Sequence, residues 1–287
     1  MLACASVGCS NRDCTVRVRG EYGESVNGDN PARKTSGSRP SISLVIPAYN
    51  ESARICHTLH TAWAYLDAQP YETELLVVDD GSPDQTGAIA GAFSLDHPGV
   101  RVLSIPHGGK AAALRAGMTA ATGEMIAFSD ADLATPLHYL DVFRQAVLDG
   151  DDVVIGSREA QGAVRIDEPF YRHLMGRVFN LIVRLLVLPD IQDTQCGFKM
   201  FRREASREIL KRARLYRDLD AAVRGPRVTA FDVELLVVAR RLGYRIRSVP
   251  VAWTYGEQSK VNPVRDTLNN FADVVRVKAH DLRGDYG

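Results

Sequence analysis

No uninterrupted apolar run in this chain approaches the roughly 18–20 residues that a membrane-spanning helix requires. A secretory leader is not expected either, because Met1 to Asp13 is short of apolar residues and meets charge at once. An excess of one charge is absent. Lys plus Arg and Asp plus Glu both number 35, which argues against a global nucleic-acid footprint. Cysteine is sparse and odd in number, five in all. Cys4, Cys9 and Cys14 lie in a polar stretch, Cys56 in a helical segment and Cys196 beside a glycine. Their spacing fits no zinc pattern, so the expectation is a reduced, cytoplasmic protein. The dinucleotide fingerprint G-x-G-x-x-G is missing, and so is the phosphate loop G-x-x-x-x-G-K-[ST]. Gly108-Gly109-Lys110 has only a superficial likeness to the latter, since Ala111 follows. NAD-dependent and P-loop chemistries are thereby excluded.

What is present is an ordinary globular composition over 287 residues, 45% hydrophobic and 24% charged, enough for one or two domains. Residues 1–40, rich in Gly, Ser, Asn, Asp and Arg, read as a disordered tail. From Ile42 onward, apolar runs alternate with helical patterns. Strands are expected at 42–46, 74–79, 101–105, 124–129 and 152–156, and helices at 51–68, 84–96, 109–121 and 136–148. Such alternation predicts an α/β fold, a mostly parallel central sheet covered by helices. The order breaks after Ser157. A basic apolar segment follows at 170–188, then a strand at 197–201, helices around 203–214 and 231–242, and a strand at 244–253.

Ligands of parallel sheets bind beyond the carboxyl ends of the strands. Those ends here read Pro47-Ala48-Tyr49-Asn50-Glu51, Asp79-Asp80-Gly81-Ser82, Ser129-Asp130-Ala131-Asp132 and Gly156-Ser157-Arg158. Residues i and i+2 of a strand share a side. Asp130 and Asp132 can therefore aim two oxygen ligands at one point, suiting Mg²⁺ or Mn²⁺ with positions left for phosphate. Bland roles compete: Asp pairs cap helices, Asn50 and Ser82 are good N-caps, and Asp80-Gly81 is a good turn.

The strings VIPAYNES, VVDDGSPDQT, FSDADLATP, GSR, DTQCGFKMF and FDVELL, in this order and spacing, resemble inverting glycosyltransferases of family 2. The likeness covers roughly residues 42–261 and is strongest to the dolichyl-phosphate (polyprenyl-phosphate) β-glucosyltransferases, with the mannosyltransferases as cousins. It implies a GT-A fold with a nucleotide-sugar half (41–157), an acceptor half (158–261) and a helical C-terminal tail (262–287). By resemblance, Pro47, Tyr49 and Glu51 line the base and ribose, and Val78 and Asp80 floor the base pocket. Asp79 bonds the turn, Asp130 and Asp132 hold the metal, and the Ala131 backbone lies against the donor. Lys260 matches a diphosphate-binding lysine, and Arg158 and Arg172 match acceptor-phosphate arginines. Asp193 sits where the two halves meet and takes a catalytic or site-organising role. The chain departs from the mannosyl pattern at Ala134, where a Gln metal ligand stands, and at Thr254, where an Arg stands. It departs from the glucosyl Gly-Lys-Gly-Gly at Ala111, while Ala134-Thr135-Pro136 looks glucosyl and tilts the donor toward UDP-glucose.

The resemblance thus implies glucosyl transfer to a polyprenyl phosphate at the cytoplasmic face of a membrane. A GDP-mannose enzyme, a soluble transferase with a small acceptor, and a non-catalytic nucleotide-sugar binder are the alternatives. Several residues keep two readings. Arg158 suits a salt bridge to Asp151 or Asp152 as well as phosphate, Arg172 a solvated helix end, and Asp193 a turn cap. Asp232 and Glu234 suit either a general base for a hydroxyl acceptor or a helix N-terminus. On a helical wheel of 170–188, Arg172, Gly176, Asn180, His173, Arg184 and Arg177 fall within about 140°, with most large apolar residues opposite. That pattern fits an interfacial helix or a core helix with a basic rim. Without a spanning segment, stable anchoring would need oligomerisation or a membrane partner.

Overall fold

The computed structural model describes residues 41–217, 229–256 and 263–287, without the side chains of Arg172 and of 263–268. Lys260 and the tail 1–40 lie outside the described residues. Seven strands form one sheet: β1 (Ile42–Ala48), β2 (Thr73–Asp79), β3 (Val100–Ser104), β4 (Met125–Ser129), β5 (Val153–Ser157), β7 (Phe198–Arg202) and β8 (Ile246–Pro250). A separate pair is made by β6 (Val164–Ile166) and β9 (Ala252–Thr254). The large sheet runs in the order β3-β2-β1-β4-β7-β5-β8, parallel except for β7, which is antiparallel to both β4 and β5.

The central strands are apolar on both sides because both sides are covered. Every residue of β2, β4 and β5 is buried. Helices α1 (Ile55–Asp67), α2 (Thr86–Asp96), α3 (Lys110–Ala120) and α4 (Tyr139–Leu148) supply that cover in the first half. In the second half, α5 (Phe170–Leu186), α6 (Arg203–Arg212), α7 (Phe231–Arg241) and α8 (Pro263–Arg283) follow. The expected strand 244–253 is interrupted. β8 ends at Pro250 and the chain steps onto β6 as β9, a pairing that local sequence does not announce. The helical stretch 263–283 packs on α5 and α7, and Tyr286 beyond it is fully buried.

β1 pairs with β2 on one side and β4 on the other, so the chain winds outward to β3 and then returns across β1. The carboxyl ends of β1 and β4 diverge at this switch point, which is where a crevice opens in such sheets.

Candidate active site

The first wall of the crevice is two loops tied together by backbone amides. The Asn50 N–H donates to Ser82 Oγ at 3.1 Å, Glu51 N–H to Thr86 Oγ1 at 2.8 Å, and Ser52 N–H to Asp84 Oδ2 at 3.1 Å. Desolvation would raise the Asp84 carboxyl, but hydrogen bonds from Thr86 and Ser52 hold it down at about 2. Asn50 and Ser82 are therefore loop ties, not caps; α1 begins at Ile55 with no side-chain cap. Pro47, one residue before the end of β1, is half-buried, and Glu51 pairs with Arg54 Nε at 2.9 Å.

Tyr49 stacks on His107, ring centroids 4.1 Å apart and planes within 12°. His107 belongs to the β3–α3 loop, which Asp80 organises. The Asp80 carboxylate accepts from Gly108 N–H and Gly109 N–H, each at 2.8 Å, and contacts His107 Nδ1 at 2.9 Å. Both its oxygens thus hold this loop in place beside Tyr49. The Val78 side chain is fully buried against Gly117 of α3. Asp79 does bond its turn, accepting from Ser82 N–H at 3.2 Å.

The second wall is the end of β4. The Lys110 ammonium forms an ion pair with Asp130, and Asp132 Oδ1 accepts from Ala134 N–H at 3.1 Å. Between them the Ala131 carbonyl accepts from the Thr58 hydroxyl of α1 at 2.6 Å. Leu133 has a φ of +50°, a costly state for a branched side chain that persists where surroundings over-determine it. Burial and the neighbouring Asp130 charge push the Asp132 carboxyl above its usual range. Burial would lower the Lys110 ammonium, yet Asp130, Asp232 and Asp132 together hold it above its usual value. Two hard oxygen donors that repel each other, one already drawing in an ammonium, fit a divalent cation such as Mg²⁺ or Mn²⁺. Among the described residues no group of three or more His, Cys, Asp or Glu completes a cage, so phosphate oxygens and water would fill the other positions. The two departures noted in sequence meet here, since Thr254 N–H donates to the Ala134 carbonyl at 2.9 Å.

The third element is Asp193, completely buried. Arg158 grips it in a fork, Nε to Oδ2 at 2.7 Å and Nη2 to Oδ1 at 2.9 Å. Its Oδ2 also accepts from Arg158 N–H at 2.9 Å and its Oδ1 from Gln195 N–H at 3.1 Å. Burial alone would raise this carboxyl, but the Arg158 charge and hydrogen bonds hold it far below the usual carboxylate range. The alternative partners of Arg158 are taken: Asp151 pairs with Arg247 and Arg245, and Asp152 with Arg202. The guanidinium also lies 5.3 Å from the Trp253 ring centre. Arg165, a residue the sequence did not single out, donates from Nε to the Arg158 carbonyl at 3.1 Å and pairs with Glu159 and Glu168.

Gly197 joins the second and third elements. A Cβ there would overlap the Asp130 carboxylate, so any other residue must push that side chain aside. Beneath, the fully buried Lys199 ammonium donates to the Cys196 carbonyl at 2.5 Å and to Asp232 Oδ1 at 2.7 Å. Glu234 faces elsewhere. It accepts from Arg214 N–H at 2.7 Å, Leu215 N–H at 3.0 Å and the Tyr286 hydroxyl at 2.8 Å. Both candidate bases are thus committed to structural partners. Besides Arg165, the sequence did not single out Lys110, His107, Gly197 and Lys199 for the site. The polar end of β3 would have pointed to the first two, had it been read with the other strand ends.

Arg172 lies in the first turn of α5. The wheel arrangement is rotated from the sequence expectation in one respect: Asn180 faces the interior with Phe179 and Val183, and is not part of an exposed polar stripe. Phe170, Leu174, Val178, Leu181 and Leu185 are all exposed, at spacings of three or four, and Tyr171 beside them. Exposed Arg177 and Arg184 flank that stripe on the wheel. No helix among the described residues is long and apolar enough to cross a membrane.

The profile of glycosyl transferase family 2 matches residues 43–210. Among curated proteins, a dolichyl-phosphate beta-glucosyltransferase of Trichomonas vaginalis is 34% identical over 261 residues, 87% of this chain and 74% of that protein. The Drosophila melanogaster dolichyl-phosphate beta-glucosyltransferase is 33% identical over 85% of this chain and 76% of its own length. Among solved structures, glucosyl-3-phosphoglycerate synthase from Mycobacterium tuberculosis, in complex with Mn²⁺, UDP and glucosyl-3-phosphoglycerate, superposes with a TM-score of 0.59. At 22% identity it covers 84% of this chain and 80% of its own, a likeness of fold. A parallel GT-A sheet, an aspartate pair at its switch point and these matches agree, and the chain belongs to glycosyl transferase family 2.

Proposed function

We propose that this glycosyltransferase moves glucose from UDP-glucose to a polyprenyl (dolichyl) phosphate at a membrane surface, with Mg²⁺ or Mn²⁺ held by Asp130 and Asp132. The observation that carries this reading is the meeting, through Gly197, of the aspartate pair with the Arg158–Asp193 pair on one rim. The curated relatives named for dolichyl phosphate support the acceptor class. On the donor side, Tyr49 with Pro47 and Glu51 offers a surface for base and ribose. Asp80 acts by fixing the loop that carries His107, and the Ala131 backbone and Lys260 complete the contacts to the donor.

A bound divalent cation supplies charge stabilisation to the departing diphosphate, a contribution of several kcal/mol. The acceptor needs no deprotonation, because a phosphate monoester oxygen is already ionised near neutral pH. It bonds to the anomeric carbon as the bond to UDP breaks, so orientation replaces general-base catalysis. Arg158 and Arg172 hold that phosphate, and Asp193 positions Arg158, leaving its Nη1 edge for the acceptor. The engagement of Asp232 with Lys199 and of Glu234 with backbone amides accords with a reaction that uses neither as a base.

The exposed stripe of α5 with Arg177 and Arg184 supports seating on an anionic lipid surface by burial and charge. A panel of UDP-glucose, GDP-mannose and UDP-N-acetylglucosamine with polyprenyl phosphate tests the donor and acceptor. Radiolabel should enter the organic phase from UDP-glucose; label entering only from GDP-mannose would overturn the donor. Co-sedimentation with anionic vesicles tests the surface. Leu181→Asp with Leu185→Asp should release the protein while its circular dichroism is kept, and activity should fall more on long-chain than on short-chain acceptors. A wild type that ignores such vesicles at low salt would turn the reading toward a small soluble acceptor.

A further inference from the structure

We propose that Lys110 competes with the divalent cation for Asp130, so that the cation binds well only when a nucleoside diphosphate draws the ammonium away. This rests on the reading of Asp130 and Asp132 as cation ligands. The backbone at Lys110 is fixed: Gly109, with a φ of +85°, opens α3, and Asp80 holds the amides of Gly108 and Gly109. Only the side chain is free to relocate. Its ammonium sits on Asp130 within the field of Asp132 and Asp232, so the described protein already carries one cation where another is needed. An ammonium and a divalent ion on the same carboxylate repel each other, and the weaker must leave.

The solvent exposure of the pair permits that exchange. Lys110 and Asp130 are 35% and 39% exposed, whereas the Lys199 ammonium below is sealed in with Asp232. A flexible four-carbon stem carries the Lys110 charge, and a diphosphate entering the crevice offers it a stronger anion than one carboxylate. The device would discourage the cation from loading without the donor.

Mn²⁺ binding to the full chain without nucleotide, followed by the electron paramagnetic resonance of free Mn²⁺, tests this without measuring transfer. Lys110→Met should tighten Mn²⁺ binding by on the order of tenfold, within the usual range for coupled sites. Lys110→Arg, which keeps the charge, should bind like wild type, and Asp130→Asn should abolish binding in either background. Lys110→Gln serves as a second neutral variant, with circular dichroism recorded on each. Neutral variants with wild-type or weaker affinity, while Asp130→Asn still abolishes binding, would overturn the competition alone. If Asp130→Asn binds Mn²⁺ as well as wild type, the cation reading falls and the competition with it.

Discussion

Asp130 and Asp193 flank the same loop, Asp193 at its start and Asp130 against Gly197 at its end, yet they live in opposite surroundings. Asp193 is sealed from water and accepts four hydrogen bonds, two of them from a guanidinium fork. Asp130 is 39% exposed, shares its neighbourhood with a second carboxylate and pairs with the part-exposed Lys110. The electrostatic consequences have opposite sign: Asp193 is driven below the usual carboxylate range and Asp132, beside Asp130, above it. A carboxylate whose oxygens are saturated by the protein serves the scaffold. One held near a like charge has been reserved for something that arrives later.

The contrast breaks most severely at Asp193. Asp193→Asn leaves the buried Arg158 charge uncompensated, and loss of one partner of such a pair costs about 3–5 kcal/mol. Because the folded value is depressed, this stability is fully present above the unfolded value near ~3.9 and is lost only as pH falls through the folded one. Urea titrations at pH 7 and pH 5 should therefore give the same gap between variant and wild type. A gap that closes by pH 5 would show that the pair is not the tight one described.

Asp130→Ala or Asp132→Ala should act the other way, on turnover and not on the fold. Transfer should drop by about 10²–10³-fold, as when one preorganised transition-state contact is removed. Unfolding midpoints should stay near wild type or rise, since a like-charge repulsion is relieved. Excess EDTA should mimic the substitutions in wild type. Full turnover in EDTA would remove the cation from the site.

Gly197→Ala sharpens the comparison at the smallest scale. The added methyl displaces the Asp130 carboxylate while leaving Asp193 and its four bonds in place. Activity should fall by up to about 10²-fold, the scale of a misplacement near 1 Å, with the Arg158–Asp193 pair intact by its unchanged acid stability. Equal loss of stability and activity would instead mark Gly197 as a folding glycine.

The same lesson separates two helices. α7 is buried from Phe231 to Ala239, whereas α5, equally rich in apolar side chains, leaves Phe170 at 79% and Leu185 at 76% exposure. Periodicity shows an apolar face in either case, but only packing reveals whether another element covers it.

Much of the architecture was legible because parallel strands buried on both faces read as continuous apolar runs, and the helices between them as periodic ones. The aspartate pair was legible as a motif but not in its geometry, since β4 ends at Ser129 and both residues lie in the turn beyond it, where strand alternation no longer applies. At Val78, strand position gives the side on which the residue lies but not what packs there; α3 covers its side chain through Gly117. The partners of Asp80, the amides of Gly108 and Gly109, are 28 and 29 residues away, and local sequence says nothing of them. Local spacing and polarity by themselves determined a mostly parallel sheet and the carboxylates beyond its strand ends, while its strand order and switch point came only with the fold. Only the tertiary structure decided which of those charges the protein satisfies for itself, because desolvation and hydrogen bonding depend on neighbours distant in the chain. That is why Asp193 with Arg158, and Lys110 on Asp130, appear only once the chain is folded.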